Sequence, residues 1–247
     1  MYLYNSHFIS ISIPLMGLAG GFSGRCLFVS VSLNNYVLNL FFFFFFFFFF
    51  FYKFSDYAVP PIITQVSFFY SEENVWQLSE YVRTHEGQEL VKCFVAFISN
   101  ETRCVPLWRQ RVGKSEDKLI TWDYHVIFMY EPDDRCLVFD LDSDLPFPTY
   151  FHKYVTETLR TDHILRPEHH RYFRVVPASV FLQKFASDRR HMRRDDGTWM
   201  HPPPPSQPIA TPECVHNLDD FISMDPKRGV GTVYNLQDFV RRFYKNM

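Results

Sequence analysis

Ile120-Thr121-Trp122-Asp123-Tyr124-His125-Val126-Ile127-Phe128-Met129-Tyr130, then Glu131-Pro132-Asp133-Asp134, then Arg135-Cys136-Leu137-Val138-Phe139-Asp140-Leu141-Asp142: two runs rich in β-branched and aromatic residues flank a turn-forming tetrad. Such runs fit a pleated, half-buried surface, and Pro at the second position suits a type I turn. We therefore expect a β-hairpin centred on Pro132 and Asp133. That centre sets His125 opposite Asp140, within one position of register, with Cβ atoms about 5 Å apart. Alternation then puts Asp123, His125, Asp140 and Asp142 on one face. A histidine beside a carboxylate is either a structural ion pair or a base with its orienting group, and spacing alone favours the structural pair.

Working outward, residues 93–98 and 105–108 read as further short strands, separated by the turn residues Ser99-Asn100-Glu101. Upstream, Val75, Leu78 and Val82 recur at helical spacing behind Glu72 and Glu73, acids that a helix N-terminus favours. Ser71 reads as the N-cap, so its side chain sits where backbone N–H groups stabilise an anion. Downstream, residues 150–160 and 179–185 suggest helices, 173–176 a strand and 236–243 a terminal helix. The charged run 188–194 reads as a solvated face. His201-Pro202-Pro203-Pro204-Pro205 reads as a rigid polyproline II surface loop, with docking to an SH3-like partner as the alternative.

The 247 residues carry 25 basic and 27 acidic side chains, a net charge of −2, which argues against a nucleic-acid surface. Five scattered cysteines (Cys26, Cys93, Cys104, Cys136, Cys214) form no Cys-x-x-Cys pair. They indicate a reducing compartment, with neither a disulfide framework nor a zinc site. His169-His170 lies in a charged stretch expected to be exposed, so no metal is expected there. Cys93, Cys104 and Cys136 are expected as small apolar packers.

Charge divides the chain near residue 70. Residues 1–70 hold only Arg25, Lys53 and Asp56, leaving 23 basic and 26 acidic groups to residues 71–247, the composition of one globular domain. Residues 37–52 are apolar apart from Asn39, but at about 1.5 Å per residue they fall short of a roughly 30 Å hydrocarbon core. No basic cluster flanks them to set an orientation. Phe41 to Phe51 are all Phe, which is what a thymine-rich tract gives when translated. We read residues 1–70 as a non-native extension, largely translated intron, against the alternative of a genuine low-complexity tail. Spliced transcript reads running unbroken through the thymine tract would remove that reading.

Six separated segments stand in the order of one family. They are Glu72-Glu73-Asn74-Val75-Trp76, Phe97-Ile98-Ser99-Asn100, Trp122-Asp123-Tyr124-His125-Val126, and Asp140-Leu141-Asp142 with Leu145-Pro146-Phe147-Pro148. The others are Phe185-Ala186-Ser187-Asp188-Arg189 with His191-Met192, and Asn217-Leu218-Asp219-Asp220-Phe221-Ile222-Ser223-Met224-Asp225-Pro226. From about residue 71 onward the chain resembles the protein N-terminal glutamine amidohydrolase family. The resemblance implies an α/β fold of the papain and transglutaminase type, a central antiparallel sheet flanked by helices, and a Cys-His-Asp triad. It implies conversion of N-terminal glutamine to glutamate with release of ammonia, feeding the Arg/N-degron degradation pathway. His125 and Asp140 match the family's catalytic histidine and aspartate, which reverses the preference for a structural pair.

The resemblance further implies a monomer of cytoplasm and nucleus that acts on proteins or peptides with N-terminal Gln. It implies no metal or organic cofactor, no nucleic acid and no membrane. The departure is at the nucleophile, where Ser71 occupies the family's Cys position. A TGC codon split after its second base, preceded by a retained intron ending in AG, would be written AGC, serine. The substitution and the poly-Phe tract then share one cause, and the chain as written is expected to be impaired. The alternatives are an inactive homologue that binds N-terminal Gln or acts as a scaffold, and a membrane-tethered form. Asp123, Asp142, Glu72 and Glu73 are the candidates to receive the substrate's α-ammonium.

Overall fold

β1 (Cys93–Ser99) is apolar along nearly its whole length and almost entirely buried, the pattern of a strand covered on both faces. It lies inside a six-stranded antiparallel sheet ordered β6-β5-β4-β1-β7-β8. Its partners are β4 (His125–Tyr130), β5 (Leu137–Phe139), β6 (Thr149–Tyr150), β7 (Tyr172–Pro177) and β8 (Thr232–Asn235). β2 (Val105–Leu107) and β3 (Ile120–Trp122) pair as a separate two-stranded sheet. The structure, a computed structural model, describes residues 69–245. The anchor reading lies outside the described residues, as does the intron reading apart from residues 69 and 70.

Helices cover both faces. On one, α1 (Ser71–His85) packs against β4 and against α3 (Ala178–Lys184). There Phe97 meets Phe181, Phe185 and Phe221, with ring centroids 5.3–6.1 Å apart, the last ring coming from α4 (Leu218–Ile222). On the other, Ala96, Ile98, Ile127, Met129, Phe173 and Val175 pack with α2 (Phe151–Tyr154) and α5 (Leu236–Phe243). After α2 the chain continues as a π-helical turn, Val155–Leu159. The cysteines expected as packers follow suit at two positions: Cys93 and Cys136 are buried, and desolvation pushes the Cys93 thiol up to about 12.

Four details differ from the sequence reading. The run 120–130 is two strands in different sheets, because the chain breaks at Asp123, whose carboxylate accepts the Tyr124 N–H at 3.0 Å. The hairpin is centred one residue later, because the Arg135 N–H donates to the Pro132 carbonyl, making Pro132 the first turn residue. The ladder therefore pairs Tyr130 with Leu137 and Phe128 with Phe139, and β5 ends at Phe139, before Asp140. Ser71 is the first residue of α1 and not its cap; Tyr70 precedes it without a side-chain capping bond. α4 and β8, four or five residues each, went unread in the sequence.

Arg174 accounts for one of the family-like segments in structural terms. It is fully buried in β7 and donates to the carbonyls of Ser223, Asp225 and Val230, fixing the loop after α4. Among the described residues no helix is long and apolar enough to cross a membrane.

Candidate active site

His125 opens β4, 1% exposed, and its Nε2 lies 3.0 Å from Asp140 Oδ1. The register places Asp140 two residues short of the position opposite His125, yet the contact forms because the chain leaves the ladder after Phe139. Asp140 is otherwise well held. Its Oδ1 also accepts the Asp142 N–H at 3.0 Å, and its Oδ2 accepts the Tyr154 hydroxyl at 2.8 Å. Burial would lower the His125 imidazole, but contact with Asp140, helped by Asp142 and Glu72, outweighs it and raises the pKa. Burial likewise works to raise Asp140, and His125 with the other donors pulls it below the usual carboxylate range. The pair therefore favours imidazolium beside carboxylate. With Nε2 spent on Asp140, Nδ1 is the ring nitrogen left to exchange a proton.

The start of α1 is fastened beside this pair. Ser71 is buried, Phe69 meets Trp122 edge-on at 6.0 Å, and Trp122 stacks on His125 at 5.6 Å. Glu72, fully buried, accepts the Tyr124 hydroxyl at 3.0 Å and has His191 Nε2 at 3.4 Å. The Glu73 and Asn74 N–H groups donate to the Tyr70 carbonyl at 3.1 and 3.0 Å, so the N–H groups of residues 71 and 72 are the first-turn donors without an acceptor in the helix. The sequence expected the acids at 72 and 73 as dipole partners; both are buried instead and bind specific groups.

Glu73 takes a two-pronged bond from Arg189, at 2.6 and 2.7 Å, and Arg189 is 4% exposed. This corrects the reading of residues 188–194 as a solvated face: Arg189 and Met192 are buried, while Arg190 is exposed. Arg189 adopts a left-handed backbone at φ 66°, uncommon for a residue with a side chain, and also donates to the carbonyls of Pro204 and Ser206. Tyr70 donates to the His201 carbonyl at 3.1 Å. The proline segment is thereby tied at both ends to the start of α1, which fits the rigid-loop reading.

Asp142 joins the pair, as alternation expects, but Asp123 does not: it is exposed and engaged with Tyr124 N–H. His125, Asp140 and Asp142 bring one donor atom each within 4.8 Å of one another, a set that could in principle hold a metal ion. Two of the three are already spent on each other, so the cluster is built as a hydrogen-bonded pair with a spare carboxylate. Burial raises the Asp142 pKa to about 6, against the pull of His125 and with the push of Asp140. A folded-state pKa above the unfolded value gives stability that is present below the unfolded pKa and lost as pH rises through about 6. Asp142→Asn should therefore gain about 1–3 kcal/mol over the parent at pH 7.5 and nothing near pH 4, read by urea unfolding at both. Equal stability of the two proteins at pH 7.5 would contradict it.

An antiparallel sheet with a buried His–Asp pair at one end, and a helix start fastened beside it, is consistent with the transglutaminase-like class of α/β proteins. The family model for N-terminal glutamine amidase matches residues 66–243. The chain belongs to that family. Similar proteins are each called protein N-terminal glutamine amidohydrolase. That of Drosophila willistoni is 59% identical over 177 residues, 71% of this chain and 86% of the relative. That of Drosophila ananassae is 58% identical over 178 residues, covering 72% and 87%. That of Drosophila melanogaster is 56% identical over 189 residues, covering 75% and 92%. The matched span opens five residues ahead of Ser71 and so includes Phe69 and Tyr70, which hold the proline segment.

Proposed function

We propose that this fold hydrolyses the side-chain amide of N-terminal glutamine in proteins and peptides, giving glutamate and ammonia. The observation that carries the reading is the buried His125–Asp140 contact beside the start of α1. With cysteine at 71, the thiol loses its proton to His125, and the helix start and the imidazolium stabilise the thiolate. Sulfur attacks the carboxamide carbon, and first-turn N–H groups receive the developing oxyanion. His125 returns the proton to the nitrogen as the C–N bond breaks, and ammonia leaves. Water then gives a proton to His125 and attacks the thioester; the C–S bond breaks and the sulfur is restored.

Ser71 favours a second reading for the chain as written: it binds N-terminal Gln without turning it over. A hydroxyl ionises far less readily than a thiol, and nothing here replaces the lost acidity. The test uses the full chain carrying Ser71→Cys, with two peptides that differ only in whether Gln is first or third. Ammonia release from the first alone is expected; release from both, or from neither, would overturn the proposal. Adding Asp140→Asn keeps an acceptor for His125 but removes the charge behind the imidazolium, so kcat should fall by up to roughly 10⁴-fold. An unchanged kcat would remove Asp140 from the reaction.

A further inference from the structure

The acids around His125 are not equally occupied. Asp140 is bound by His125, Tyr154 and the Asp142 N–H, Glu73 by Arg189, and Glu72 by Tyr124 with His191 close by. Asp123 is exposed and caps its neighbour's N–H. Glu72 Oε1, like Asp142 Oδ1, is buried without a hydrogen-bond donor, but His191 Nε2 lies 3.4 Å from it; Asp142 is different, 3% exposed, with no hydrogen bond or ion pair to its carboxylate among the described residues. Arg111 exerts a pull on it but directs its Nε to the Ser143 carbonyl. A buried carboxylate without a donor is costly, and such a group beside a reactive pair points to a ligand of opposite charge.

We propose that Asp142 receives the substrate's α-ammonium and so selects glutamine at a chain end over glutamine within a chain. The proposal rests on the deamidating function set out above and names the residue that makes the site specific for a terminus. Distance supports it. In glutamine the α-nitrogen lies about 5 Å from the side-chain carboxamide carbon in an extended conformer. Asp142 has a carboxylate oxygen within 4.8 Å of a His125 ring nitrogen, so a carboxamide beside His125 puts the ammonium within reach of Asp142. The surrounding charge agrees: Asp142, Asp140 and Glu72 all act on His125, and a single imidazolium leaves this cluster negative. Acylating the α-amine, as any internal peptide bond does, removes the cation and leaves Asp142 unpaired.

The Ser71 chain suits the test, because a bound peptide is not consumed. Calorimetry at pH 7.5 with a Gln-initiated pentapeptide and its Nα-acetyl form should show at least tenfold tighter binding of the free amine. In Asp142→Asn the two should bind within twofold of each other, and Asp142→Glu should recover part of the preference. A preference retained in the Asn variant, or absent from the unmodified chain, overturns the proposal. Should the Asn variant not fold, the unmodified chain answers alone: its preference must shrink between pH 7.5 and pH 5 as Asp142 gains a proton, and a constant preference is contrary. Hydrolysis by the Ser71→Cys chain is read separately. Amine-selective binding without ammonia release would sink the deamidating function and leave the assignment of Asp142 standing.

Discussion

Ser71→Cys in the full chain raises kcat/KM for ammonia release from a Gln-initiated peptide by about 10³-fold or more. The size follows from what changes. The substitution exchanges one oxygen for sulfur at the first residue of α1, where helix donors and the raised pKa of His125 both favour an anion. A thiol in that setting is appreciably thiolate near neutral pH, whereas a hydroxyl needs the base to remove its proton during attack. Removing a nucleophile from a catalytic set costs several orders of magnitude, and restoring one should return a comparable factor. A gain below about tenfold would place the nucleophile elsewhere. The remaining cysteines of the sheet offer a poor substitute: Cys93 and Cys136 are buried with raised pKa values.

Arg189→Met destabilises the folded part by about 3–5 kcal/mol, because Glu73, 2% exposed and with burial already raising its pKa, is left without its partner. For a domain of this size that is a fall in melting temperature on the order of 10 °C. The same change frees the carbonyls of Pro204 and Ser206, loosening the proline segment from the start of α1. Pairing it with Glu73→Gln, which removes the stranded charge, should recover at least half the loss. No recovery in the double variant would mean that the cost lies in the loop and not in the buried charge.

Much of the site was legible in local pattern. The hairpin arithmetic brought His125 to Asp140 although its register was off, because the cluster depends on two strand ends meeting and not on their ladder. Periodicity found α1, β1 and α5, which are long or strongly patterned. What it missed is non-local or short. Glu73 and Arg189 stand 116 residues apart, and no spacing rule links them. The basic run 188–194 looks uniform in sequence, but the left-handed turn at Arg189 sends that one side chain inward. β8 and α4 are too short to show a period. Asp123 looked equivalent to Asp142 by alternation, and the break in the strand before His125 separated them.

The account requires position 71, His125 and Asp140 to act as one unit, and thiol chemistry reads that directly. In the Ser71→Cys chain, iodoacetamide alkylation of residue 71 should follow an apparent pKa at least about one unit below that of a free cysteine, near 8.5. Adding His125→Asn should return the profile to the ordinary value. A thiol at position 71 that titrates like free cysteine with His125 in place, or whose profile ignores the loss of that imidazole, would contradict the account.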